Sequence, residues 1–374
     1  ILTKRSYSDI IFIEMGSYFS ERDEKNLAKL DTVLADLPEF VGQFIIGISS
    51  RTSVLTRLNY ALDIRVFLNY LVKYKYQGKT MDAITLKDIE ELKAFDIERY
   101  LDSLSNYISN GKKYACGDRA KERKLASLRS MYKYLYKKDM IETNVTLKID
   151  MPKIHDKIII RLETNEVKKL IDLVENGEML SDKERAALQE TRPRDIAILY
   201  LFLGTGIRVS ELVGLDRKDI DFDNDSFTVT RKGGNKSILY LPKESKDALL
   251  AYLADHDRQM REDTSYAASI KDPDALFYSR FGTRIGVRSV EKLVKKYAHY
   301  AAPLKKITPH KLRSTYATNL YRATEDIYVV ADVLGHSDVN TTKKHYAQLS
   351  EENKRKAARV TTIYEDNDQN GDKN

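Results

Sequence analysis

Between Asp221 and Leu241 the sequence DFDNDSFTVTRKGGNKSILYL alternates with a period of two, and elsewhere only Ile158 to Ile160 has strand-like character. Phe227 and Val229, then Ile238 and Tyr240, alternate with polar residues around a KGGN turn. This is the pattern of a β-hairpin with Lys232 and Lys236 at its tip. The remaining apolar residues recur mostly at helical spacing. The fold class expected is therefore mainly α with a small β-sheet, an α+β arrangement.

Residues 1–50 show no clear period and are set apart as an N-terminal extension. From Thr52 to Tyr76 a helix is expected, with Leu58, Leu62, Val66 and Tyr70 as its stripe and Arg57 and Arg65 on other faces. Asp96 to Leu104 predicts another. Between Arg119 and Lys138, Leu125, Leu128, Tyr132 and Leu135 form one apolar stripe, while eight basic residues face one acidic residue on the rest. A solvated helix face usually mixes signs. So one-sided a bias suits a helix laid along a DNA groove, with Arg119, Lys121, Arg123, Lys124 and Arg129 as DNA-binding residues. Residues 51–149 thus read as a helical domain. The helical pattern lapses near Pro152, and 150–162 is read as a linker to a second domain, 163–349.

The second domain opens with the helix TNEVKKLIDLVEN, followed by a polar insertion and then Pro193 to Leu215. Gly204 and Gly206 superficially suggest a dinucleotide-binding loop, but the third glycine is missing and no βαβ alternation follows. A buried helix, a glycine break and a short helix from Arg208 fit better. That places Arg208 at a helix N-terminus, where its guanidinium and the backbone N–H groups would hold a phosphate. Helices resume in SKDALLAYLADHDRQM and SVEKLVKKYAHYA. At Thr308 and Pro309 another helix opens, with Leu312, Tyr316 and Leu320 as its buried face and His310 and Arg313 together beside it. A further helix through EDIYVVADVL stops at Gly335, leaving His336 just beyond, and Tyr346 follows ten residues later. Residues 350–374 read as a short basic helix and an acidic, disordered end.

The chain's 374 residues suffice for two domains, and no apolar run approaches the roughly 20 residues that span a bilayer. With no signal-peptide pattern either, a soluble, cytoplasmic protein is expected. The lone Cys116 excludes an internal disulfide framework, and no HExxH pair or cysteine cluster suggests a metal. The net charge of +7 favours a polyanionic partner, or an anionic membrane surface.

Two arginines, a lysine, two histidines and a tyrosine, with no metal or cofactor called for, suit phosphoryl transfer. Guanidiniums can fork onto phosphate oxygens and neutralise charge as phosphorus becomes five-coordinate. A phenol near pKa 10 is about one-thousandth ionised at pH 7, a deficit of roughly 4 kcal/mol, so a nucleophilic tyrosine needs a base or a strongly positive site. His310 and His336 would supply the first and Arg208 and Arg313 the second. A lysine at a hairpin tip would protonate the departing oxygen.

In GTGIRVSELVGL, TRKGGNKS, TPHKLRSTYATNL, VLGHSDVNTT and KKHYAQL the chain resembles the tyrosine recombinases, that is, phage integrases and Xer-type proteins. The likeness is to the single-component Xer type in TRKGG and ITPHKLR. It implies a helical core-binding domain and a catalytic domain that form a C-shaped clamp on duplex DNA bearing a specific site. It further implies that Tyr346 is the nucleophile and leaves a 3′-phosphotyrosine. Arg208 and Arg313 would clamp the phosphate, Lys232 would act as general acid, and His310 and His336 would handle protons. Four protomers would exchange strands of two duplexes through a Holliday junction. The tail helix, Asn353 to Val360, would contact a neighbour, and accessory proteins would regulate the reaction. The chain departs from the family's commonest pattern in Ser314, where His is usual, and in a His336 to Tyr346 interval one residue longer. Lys236 stands as the alternative to Lys232. A type IB topoisomerase-like enzyme and a non-catalytic DNA-binding regulator remain as rival readings.

Overall fold

The computed structural model describes residues 17–109, 112–152, 160–231, 234–335 and 339. The chain divides into two compact units, Ile1–Lys157 and Ile158–Asn374.

The first unit is helical: α1 (Ser17–Leu34), α2 (Glu39–Gly47), α3 (Val54–Tyr74), α4 (Leu86–Glu90), α5 (Ala94–Ser103) and α6 (Asp118–Lys137). Between α5 and α6, β1 (Tyr107–Ser109) pairs antiparallel with β2 (Lys112–Tyr114). Residues set apart in the sequence as an extension belong to this unit's core: Leu30, Val33, Phe40, Val41, Phe44 and Ile45 pack with α3 and α6. Helix α1 carries a thin apolar stripe among charges, too sparse to read as a period.

Helix α3 begins at Ser53, whose hydroxyl accepts from the Thr56 N–H. Its buried face is not the row of every fourth residue. Leu58 is buried, but Leu62, Val66 and Tyr70 are only half-buried, while Ala61, Ile64, Phe67, Leu68 and Leu71 are fully enclosed. A turn holds 3.6 residues, so a strict four-residue row drifts around the cylinder and leaves the core. Arg57, expected on another face, is buried as well. In α6 the stripe of Leu125, Leu128, Tyr132 and Leu135 is fully buried, as its period predicts.

The second unit opens with α7 (Thr164–Asn176), ended by Gly177, and continues in α8 (Asp182–Thr205). The supposed polar insertion is the first half of α8, started by a Ser181–Glu184 capping box and carried through Pro193. There follow α9 (Val209–Leu212), the antiparallel sheet β3 (Ile220–Asp221), β4 (Ser226–Thr230) and β5 (Lys236–Tyr240), then α10 (Lys243–Glu262), α11 (Thr264–Ser269) and α12 (Val287–Ala301). Helices α13 (Pro309–Thr324) and α14 (Ile327–Leu334) close the described part. Helix α8 is central and touches α7, α10 and α13. Its buried Asp195 accepts from Thr191 and Arg194 and, at 2.7 Å, from the Tyr297 hydroxyl of α12.

The hairpin stands where the period of two placed it, but one strand faces the other way. Phe227 and Val229 are buried, and Phe227 pairs with Leu239, so Leu239 points inward. Ile238 and Tyr240 lie on the outer face, 61% and 74% exposed. A shift of one residue inverts a strand, and the apolar residues on both of its faces hid the register. Among the described residues no helix is long and apolar enough to cross a membrane.

Candidate active site

Helix α8 ends at Gly206, which has φ +62°. A Cβ there would lie 2.3 Å from the Tyr316 ring of α13, so only glycine allows this close approach. The Gly206 carbonyl turns toward α13 and accepts from Arg313 Nη1 at 2.5 Å. Arg313 is 6% exposed, and its Nη2 donates to the Leu334 carbonyl at the end of α14. His310, one turn earlier on α13, is exposed. The two residues expected to share a face thus sit at different depths.

Arg208 approaches the same point from α9. It precedes that helix, and its backbone N–H donates to Glu211 Oε2 at 2.9 Å. One N–H group of the expected phosphate seat is thus held by a buried carboxylate, and the guanidinium reaches the end of α14. Nη1 meets Glu211 Oε1 at 2.7 Å, and Nη2 donates to Leu334 O at 3.0 Å and Gly335 O at 3.3 Å. Glu211 is 3% exposed, so this pair is a fixed strut rather than a surface contact.

Arg231, at the end of β4, is the third guanidinium here, and the sequence reading passed over it for its neighbour Lys232. Its Nη2 donates to Val333 O at 3.0 Å. Gly335 closes α14 with φ +59°, and a Cβ on it would lie 1.1 Å from Arg231 Nη1. Burial pushes the Arg231 pKa down, an effect that Glu211 opposes and Arg208 reinforces.

Three guanidiniums therefore gather on the last carbonyls of α14, which lack helical partners and carry the negative end of the helix dipole. Glu211 is the carboxylate hydrogen-bonded among them. Positive charge is in excess, and the arrangement suits a phosphate-sized anion. Lys232, His336 and Tyr346, and the tail helix, lie outside the described residues. Lys232 nevertheless directly follows Arg231, and His336 directly follows Gly335.

The basic face of α6 divides in two. Arg119 is exposed, and Lys121 donates to Ser105 Oγ at 2.8 Å. Arg123, its side chain half in solvent, meets Asp63 Oδ2 at 2.5 Å. Lys124 is not on the outer face: its ammonium lies buried 2.9 Å from Asp63 Oδ1, and Ser127 donates to the same carboxylate. An uncompensated Asp63, 2% exposed inside α3, requires that partner. Arg129 Nη2 donates to the Ile149 carbonyl.

The signature described as the phage integrase family matches residues 160–353. The tyrosine recombinase XerC of Caldanaerobacter subterraneus subsp. tengcongensis is 35% identical over 297 residues, spanning 76% of this chain and 75% of that protein. XerS of Streptococcus thermophilus is 29% identical over 358 residues, 88% of this chain and 97% of the relative. Among solved structures, the XerH site-specific recombinase in a post-cleavage complex with palindromic difH substrate aligns with a TM-score of 0.60 at 19% identity, over 82% of this chain and 80% of that one. The Tn1549 transposon integrase in complex with transposon right end DNA aligns at 0.58 and 18%, over 86% and 99%. These two likenesses concern the fold.

Proposed function

The chain belongs to the phage integrase family, the tyrosine recombinases, and on that premise we propose how its residues divide the work of cutting and rejoining duplex DNA at a specific site. Tyr346 attacks the scissile phosphorus. The phenolic oxygen forms the new bond, its proton passes to an imidazole of His310 or His336, and the bond from phosphorus to the 5′ oxygen breaks. Lys232 delivers a proton to that oxygen, which leaves as a hydroxyl. The resulting 3′-phosphotyrosine keeps the bond energy for rejoining. Arg208 and Arg313 neutralise the phosphate as charge builds on it.

The observation that carries this reading is the convergence of Arg208 and Arg313 on one carbonyl oxygen, that of Leu334. Duplex DNA as partner is supported by relatives whose structures hold DNA. Residues 51–149 would be the core-binding domain, gripping the duplex through the open part of α6, and 163–349 the catalytic domain. Four protomers would hold two duplexes through a Holliday junction, with residues 353–360 reaching a neighbour.

A suicide substrate nicked near the cleavage point tests the assignment. An adduct that survives SDS is expected from the native chain and none from Tyr346→Phe. An adduct from the phenylalanine variant would remove Tyr346 from its role.

A further inference from the structure

We propose that Arg231 is a positioning residue for the cleavage step, a clip that fastens the hairpin leading into Lys232 to the end of α14. The proposal rests on the reading of Lys232 as general acid. Arg231 directly follows β4 and is one peptide unit, about 3.8 Å between Cα atoms, from Lys232. Its side chain crosses to another element, where Nη2 donates to Val333 O at 3.0 Å. The guanidinium packs against Gly335, where a Cβ would collide with Nη1. Residues 333–335 also anchor Arg208 and Arg313. One side chain thus ties the strand before the lysine to the carbonyls on which the phosphate-clamping arginines are set.

Arg231 holds this place at some cost. It is only half-exposed and stands close enough to Arg208 for like-charge repulsion to count. Its Nε is buried without a hydrogen-bond partner among the described residues. Glu211 and Asp332 offset part of that cost, and the guanidinium keeps its reach across to the end of α14. Its reach to Val333 fixes the chain at the residue that precedes the lysine. A flexible lysine is effective as an acid only when its stem starts from a fixed point, and a misplacement of about 1 Å can cost about 100-fold in rate.

The test separates an effect on leaving-group protonation from a general loss of structure. Replacing the bridging 5′ oxygen at the scissile phosphate by sulfur gives a thiolate leaving group, whose pKa of about 8.5 needs no general acid. With the full chain, Arg231→Ala should form the covalent adduct about 100-fold more slowly than the native protein on the ordinary phosphodiester, and within about tenfold of it on the sulfur-bridged substrate. DNA affinity and melting temperature serve as controls. Arg231→Gln, which keeps much of the side chain's bulk but not its reach to Val333, should show the same selective rescue, an independent route should Arg231→Ala fold poorly. Lys232→Ala is run in parallel. If sulfur rescues Lys232→Ala but neither Arg231→Ala nor Arg231→Gln, Arg231 does not act through the lysine and the inference is overturned. If Arg231→Ala cleaves the ordinary substrate at the native rate, it is overturned too. If sulfur fails to rescue Lys232→Ala, the general-acid assignment falls first and takes the inference with it.

Discussion

Arg208 and Arg313 donate through their Nη2 atoms to the same acceptor, the carbonyl oxygen of Leu334. Arg208 comes from the start of α9 and Arg313 from the second turn of α13, and their guanidiniums meet at the end of α14. A carbonyl at a helix C-terminus is the nearest thing the backbone has to a phosphate oxygen. It holds both guanidiniums at one point before any DNA arrives.

Truncating either arginine should cut adduct formation by about 10² to 10³-fold, the usual cost of losing one donor to a developing charge. Arg208→Ala also leaves Glu211 buried without its cation, and should lower stability by about 1–3 kcal/mol. Adding Glu211→Gln should restore much of that stability and none of the cleavage. Recovery of cleavage in the double variant would show that Arg208 only supports the fold.

Gly206→Ala should destabilise the second unit. The left-handed φ of +62° costs about 1–2 kcal/mol for an L residue, and the new methyl group meets the Tyr316 ring. Because the Gly206 carbonyl seats Arg313, cleavage should fall even where the variant remains folded. Thermal melting alongside the suicide-substrate assay checks both. Native stability would contradict the close approach.

On α6 the exposed and buried cations should separate cleanly. Arg119→Ala is expected to weaken DNA binding and to reduce the salt slope of log affinity by about one. Lys124→Met should leave that slope unchanged, since its ammonium is spent on Asp63. Asp63→Ala, which strands Lys124, should cost about 3–5 kcal/mol. An unaltered denaturation midpoint in Asp63→Ala would refute the buried pair.

His256 gives the second unit an acid sensitivity. It stacks on Tyr278 at 4.8 Å, and its Nδ1 lies 2.9 Å from the Tyr266 hydroxyl. Burial pushes its pKa below the ordinary 6.5, with Asp257 and Asp255 opposing and Arg217 reinforcing the shift. The unfolded chain then binds the proton more readily than the folded one. Its contribution to stability is therefore full above about pH 6.5 and declines as pH falls toward the lower folded value. Denaturant titrations from pH 7.5 to 5 should show the decline in the native chain and a smaller one in His256→Phe. Equal slopes would sink this account.

Wherever an element's own chain carries its signal, the sequence was readable. The apolar stripe of α6, the start of α13 at Pro309, the glycine that ends α14 and the β4–β5 hairpin all depend on residues within a few positions of one another, and so does the family's set of motifs; the side-chain cap expected from Thr308 is not formed. Helix α1 was missed because charged residues equal its apolar ones in number, the first half of α8 because they outnumber them, and the inward face of β5 because both faces carry apolar side chains.

Which side chains of those motifs meet was decided by tertiary structure. The period of α6 sets Lys124 beside the apolar stripe and Arg119 opposite it, but nothing local supplies Asp63 as the partner of Lys124 or marks Arg231 as a partner of Val333 and Gly335. Those choices depend on which carboxylate or carbonyl another element presents, and on whether water is excluded there. Spacing along a chain fixes the period of a helix, but the worth of a charge is set by its surroundings in space.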